Sequence, residues 1–172
     1  MKTSRSEYLI VTGSHPDVLN EIMDIPVVWQ ADFLAVGLDA VNKYHFPIRY
    51  MATYHPSDIV PARERRKKYG GNTDYEVISH QQHQGEVHLI IPFEPPTGSS
   101  SLLGTLAGLK MGYRKIILCG CPLQGANDQN HSYEIYRDGW RAQYDKIRDY
   151  VRSMSGWTRE LLGAPTEEWL NG

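Results

Sequence analysis

Gly98-Ser99-Ser100-Ser101-Leu102-Leu103-Gly104-Thr105-Leu106-Ala107-Gly108-Leu109-Lys110-Met111-Gly112-Tyr113 runs, through Arg114, into Lys115-Ile116-Ile117-Leu118-Cys119-Gly120. A small, hydroxyl-rich turn opens an apolar helix, Gly112 ends it, and a β-rich run stops at Gly120. Such a turn presents free backbone N–H groups and three serine hydroxyls at the positive end of a helix dipole, which suits an anion. The stretch predicts a phosphate- or carboxylate-bearing ligand on an α/β sheet, with Ser99, Ser100, Ser101 and Gly120 beside it.

The same alternation extends to both ends of the chain. Tyr8–Thr12 is a short apolar run ending at Gly13, as a buried strand does. Gly13-Ser14-His15-Pro16 is a turn, with Pro16 suited to the first position of a helix over residues 17–23. Strands over residues 32–36 and 49–53 flank a helix over 39–44. A helix over 57–69, a weak strand over 76–79 and a stronger one over 87–91 lead through a proline linker to the serine turn. Beyond Gly120 lie a polar loop, a helix over 134–146, a strand over 150–153 and a short helix over 155–162 that Pro165 stops from extending. Strands alternating with helices at this pace imply βαβ crossovers and a parallel sheet. The expectation is one three-layer, Rossmann-like α/β domain over residues 1–172 with a mostly parallel sheet.

Composition narrows the partners. A chain of 172 residues is large enough for a core without disulfides or metals. Its net charge of −2, with 22% charged residues, gives no global argument for nucleic acid or an anionic membrane. The apolar runs are too short to span a bilayer and no leader-type run opens the chain, so a soluble, cytoplasmic protein is expected. Cys119 and Cys121 close a strand, where period-2 alternation points both to one face. They read as small buried thiols, not as half of a zinc site.

In open parallel sheets, ligands bind beyond the carboxyl ends of the strands, at the point where the strand order reverses. Four segments qualify: Gly13-Ser14-His15-Pro16, Tyr54-His55-Pro56-Ser57, the serine turn, and the loop after Gly120. Gly13 allows close backbone approach to a phosphate. Neither G-x-G-x-x-G nor a P-loop motif is present. His131, in the polar loop ahead of a helix, suits a general base, since a near-neutral imidazole can deprotonate a hydroxyl. Its plainer reading is an exposed loop residue or a cap beside Ser132. His55 has the same two readings. The run Arg63-Glu64-Arg65-Arg66-Lys67-Lys68 reads as a solvated helix face near a C-terminus, and nucleic acid is the weaker reading. The run His80-Gln81-Gln82-His83-Gln84-Gly85, with His88 beyond it, holds no carboxylate or cysteine before Glu86. The three histidines read as a polar connection of the kind found at a subunit contact, which leaves a homo-oligomer open, and no metal is expected.

The serine turn, Met111-Gly112-Tyr113 and Cys119-Gly120-Cys121-Pro122 together resemble the central signature of the bacterial sialyltransferases that use CMP-sialic acid. They also resemble the related DUF115-type Rossmann-like proteins of bacteria and phages. Gly13-Ser14-His15-Pro16-Asp17-Val18 is similar to the family's opening turn, and His131-Ser132 to its His-Ser pair with the catalytic base. The run from Val151 to Ser155 resembles its last strand, whose serine holds the nucleotide, which implies a binding role for Ser153. The resemblance implies a nucleotide or nucleotide-sugar ligand and glycosyl transfer with His131 as base and no metal or other cofactor. The sequence has no Asp-x-Asp motif.

Three family positions differ. The asparagine after the second strand is replaced by Val36-Gly37, the aspartate after the central strand by Pro122, and the second glycine of the opening turn by His15. The chain is also short for the family's acceptor lid. These differences support a second expectation, a non-catalytic bacterial or phage interaction module that keeps the fold.

Overall fold

The computed structural model describes residues 5–92, 99–124 and 133–172. The strands are β1 (Tyr8–Thr12), β2 (Ala31–Val36), β3 (Tyr50–Ala52), β4 (Glu76–Ser79), β5 (Leu89–Ile90), β6 (Lys115–Cys119) and β7 (Val151–Ser153). The helices are α1 (Val18–Met23), α2 (Gly37–Ala40), α3 (Ile59–Lys68), α4 (Ser100–Lys110), α5 (Tyr133–Ile147), α6 (Gly156–Leu162) and α7 (Glu167–Asn171).

β1 is apolar at consecutive positions because both faces of the sheet are covered. Leu9 and Val11 enter one core cluster and Ile10 the other. A strand of this kind belongs in the middle of a sheet. β1 pairs in parallel with β2 through Val11↔Leu34 and with β6 through Val11↔Leu118. The strand order is β5-β4-β3-β2-β1-β6-β7, and every neighbouring pair is parallel. The three-layer α/β architecture is as expected.

Ile22 of α1, Ala40 of α2 and Ile59 of α3 cover Ile10, Ala35, Met51 and Val77 on one face. Leu103 and Ala107 of α4, with Trp140 and Ile147 of α5, cover Leu9, Leu34, Ile78 and Leu118 on the other. Two small residues set α4 close to the sheet. A Cβ at Gly104 would lie 2.7 Å from Leu34 Cδ2, and one at Gly108 2.6 Å from Leu9 Cδ2. Ser99 caps this helix, its Oγ accepting from the Leu102 N–H at 3.3 Å.

The elements depart from expectation where a distant side chain intervenes. α2 stops at Ala40 instead of continuing to residue 44, because Arg66 donates to the carbonyls of Val41 and Tyr44, each at 2.7 Å. β5 is two residues long, because His88 Nδ1 takes the Val77 N–H at 3.0 Å before the ladder begins. Beyond Pro165 the chain forms α7, which the sequence reading did not include. Thr166 caps it by accepting from Trp169 N, and its end is held by Tyr8 Oη and Lys115 Nζ, which donate to Leu170 O at 3.0 and 2.9 Å. Among the described residues no helix is long and apolar enough to cross a membrane.

Candidate functional site

The strand order reverses at β1. From there α1 leaves toward one face of the sheet, while the chain after β6 leads to α5 on the other. At this point two glycines let the backbones of β1 and β6 meet. Gly13 N–H donates to Cys119 O at 2.7 Å, and His15 N–H to Gly120 O at 3.4 Å. A Cβ on Gly13 would lie 2.1 Å from Gly120 O. Gly120 has φ +64°, a left-handed conformation that only glycine adopts without strain, and its N–H donates to Glu21 Oε2 at 2.7 Å. Glu21 has no motif of its own in the sequence, so no local signal marks its part in holding this turn.

The expected ligand residues all fall on this carboxyl edge, in three groups. Gly13, Ser14, His15 and Gly120 form the first, at the reversal. Ser14 is exposed; His15 Nδ1 accepts from Asp17 N at 3.3 Å and lies 3.8 Å from Asp17 Oδ2. The second group joins the serine turn to the loop after β3. Ser99 and Ser101 are buried with their hydroxyls 2.9 Å apart, and Ser100 Oγ accepts from Tyr54 N–H at 3.4 Å. His55 is exposed beside them, its N–H on Thr53 Oγ1 at 2.9 Å. The third group is buried at the end of β7: Ser153 Oγ lies 2.8 Å from Thr158 Oγ1, which donates to Cys121 O at 2.9 Å. Thr158 thus ties β7 to the end of β6. His131 lies outside the described residues.

Gly120 also corrects the reading of the cysteines. Cys119 sits in the α1-side cluster and Cys121 in the α4-side cluster, because the positive φ between them ends the alternation. Both are free and buried. Burial raises both thiol pKa values, Cys121 to about 12, and the Glu21 carboxylate adds to the effect. The thiolate is the reactive form. A thiol reagent at pH 8 is therefore expected to leave the native protein unlabelled and to modify both cysteines after denaturation. Fast modification of the native protein would contradict this burial.

Other charged and aromatic groups are engaged locally. His80 lies with its ring centroid 5.2 Å from that of Tyr54, whose hydroxyl pKa is raised by burial. Among the described residues no three His, Cys, Asp or Glu side chains could hold one metal ion. The basic run is not the uniform solvated face expected. Arg63 pairs with Glu86, Arg65 with Asp39 at 2.9 Å, and Arg66 is buried. Helix geometry turns these neighbours to different sides, so one of them enters the core.

No family model, curated protein or solved structure matches this chain. The chemistry open to the edge follows from its own geometry. It offers backbone N–H groups, exposed hydroxyls and a helix N-terminus on one rim of a parallel sheet, an arrangement that suits a phosphate-bearing ligand.

Proposed function

We propose that the protein binds a nucleotide or nucleotide-sugar across the carboxyl edge of β1 and β6 and is related to glycosyltransferases. The observation that carries this reading is the reversal of strand order at the Gly13–Gly120 crossing, on the same rim as the capped start of α4. Ser14, His15, Ser100 and His55 are the side chains of this rim with surface to offer a ligand. Ser99, Ser101 and Ser153 act mainly by fixing the backbone around it.

In the catalytic form of the proposal, the His131 imidazole takes the proton of an acceptor hydroxyl as its oxygen attacks the anomeric carbon. The bond from that carbon to the phosphate oxygen breaks, inverting the centre, and backbone N–H groups stabilise the departing phosphate. A thermal-shift panel of CMP, CDP, UMP, UDP, GDP, AMP and their sugar conjugates tests binding. A ligand at a hundred times its dissociation constant adds about 2.7 kcal/mol, a shift of several degrees. With a donor identified, His131→Ala is expected to abolish transfer while leaving donor binding intact; retained transfer refutes the base. A flat panel favours the interaction module, a reading supported by the internal bonding of the Ser99, Ser101 and Ser153 hydroxyls.

A further inference from the structure

Ser14 and the basic run of α3 are far apart in the sequence but share one groove. It encloses about 600 Å³ and is bounded by Ser14 after β1, by Asn42 and Lys43 beyond α2, and by Arg65, Lys68 and Tyr69 of α3 and its end. Arg65 is neutralised by Asp39, also in the groove wall, at 2.9 Å. Lys43 and Lys68 have no ion-pair partner among the described residues and leave the groove doubly positive. Asn42, beside Lys43, contributes to the wall between them. Two unpaired cations and an exposed serine hydroxyl suit the phosphates of a ligand.

We propose that this groove holds a diphosphate, so that the preferred ligand is a nucleoside diphosphate or its sugar conjugate, not a nucleoside monophosphate. This rests on the nucleotide reading and specifies its ligand class. Ser14 connects the two regions: it follows Gly13 at the strand reversal and lines the groove. In this proposal the phosphates of a nucleotide seated at the reversal extend past Ser14 into the groove. Lysine holds phosphate as a point charge, so affinity rises with phosphate charge and falls with salt.

The test uses the full chain, Lys43→Ala/Lys68→Ala, and Lys67→Ala as a control, since Lys67 is exposed on α3 but does not line the groove. Inorganic pyrophosphate is titrated while backbone amide shifts are recorded. CDP, UDP and GDP are compared with CMP, UMP and GMP by calorimetry at low and high salt. Pyrophosphate is expected to move the amides of Ser14, Asn42, Lys43 and Lys68. Diphosphates should bind about tenfold or more tightly than monophosphates at low salt. The double variant should lose that advantage at unchanged melting temperature, and Lys67→Ala should keep it. Equal affinity for mono- and diphosphates, or an advantage that survives in the double variant, overturns the groove while leaving the nucleotide reading intact. Binding of pyrophosphate with no binding of any nucleotide overturns the nucleotide reading, and with it the assignment of the groove to a nucleoside diphosphate.

Discussion

Gly13→Ala is expected to cost about 3 kcal/mol or more of folding stability, lowering the melting temperature by about 6–12 °C in a chain of this size. The added methyl would meet backbone: its carbon would lie 2.1 Å from Gly120 O and 2.8 Å from Gly120 C, with Cys121 Sγ at 2.9 Å. No side chain can swing aside to relieve the first two contacts. The obstructing carbonyl is also held in place, because Gly120 N–H is bonded to Glu21 and Gly13 N–H to Cys119 O. Relief therefore requires β1 and β6 to separate at their carboxyl ends, where the ligand site is proposed. Ser14→Ala, one residue on and exposed, is the control and should change stability by less than about 0.5 kcal/mol. If Gly13→Ala melted with the wild type, the two backbones could not be in contact at the reversal. A circular-dichroism melt of the three proteins decides it.

The same crossing shows what sequence can and cannot convey. β1 and β6 were legible because apolar runs that stop at glycine leave no polar face for solvent, and α4 because its serine cap and Gly112 mark both ends. Strand order was not legible. Alternation of strands and helices implies parallel pairing, but only the passage of α4 back over the sheet places β6 beside β1. Local rules also failed where one residue overrode them. Gly120 sends Cys119 and Cys121 to opposite faces, and His88 delays β5 with its own ring. α7 did carry a readable signal, Thr166 followed by Glu167 and Glu168, since a threonine cap with acids in the first turn favours a helix start. Pro165 marks the end of one helix and does not forbid the next. For the candidate site, the carboxyl-edge loops were visible in the sequence, but the direction of each hydroxyl was not. Ser99, Ser101 and Ser153 turn inward, while Lys43 and Lys68 meet Ser14 only through the packing of α2 against α3.

Arg66→Met should be the second large loss, about 3 kcal/mol, although it replaces a charge in the core with an apolar chain. Arg66 is 2% exposed. Its Nη1 donates to Val41 O and Tyr44 O, both at 2.7 Å, and its Nη2 to Phe46 O. Burial lowers its pKa, and the carbonyl dipoles compensate for the water it has lost. Methionine would fill only the stem of the site and leave these carbonyls without their donor, and an unsatisfied buried acceptor costs more than the net gain from its bond. Gly71 shows how closely the site is fitted, since a Cβ there would lie 2.2 Å from Arg66 Nε. Arg66→Lys should recover only part of the loss, because a single ammonium cannot reproduce the forked geometry that serves carbonyls from three residues. Urea unfolding of the three proteins gives the order wild type, lysine, methionine; a methionine variant as stable as the wild type would mean the carbonyls find other partners. The effect should reach the proposed phosphate groove as well. Residues 41–46 carry Asn42 and Lys43, and Arg66 anchors the carbonyls on both sides of that pair. Arg66→Met should therefore weaken pyrophosphate binding while Lys43 and Lys68 remain in the chain, because the lysine on the loosened segment no longer has a fixed place from which to meet the phosphate.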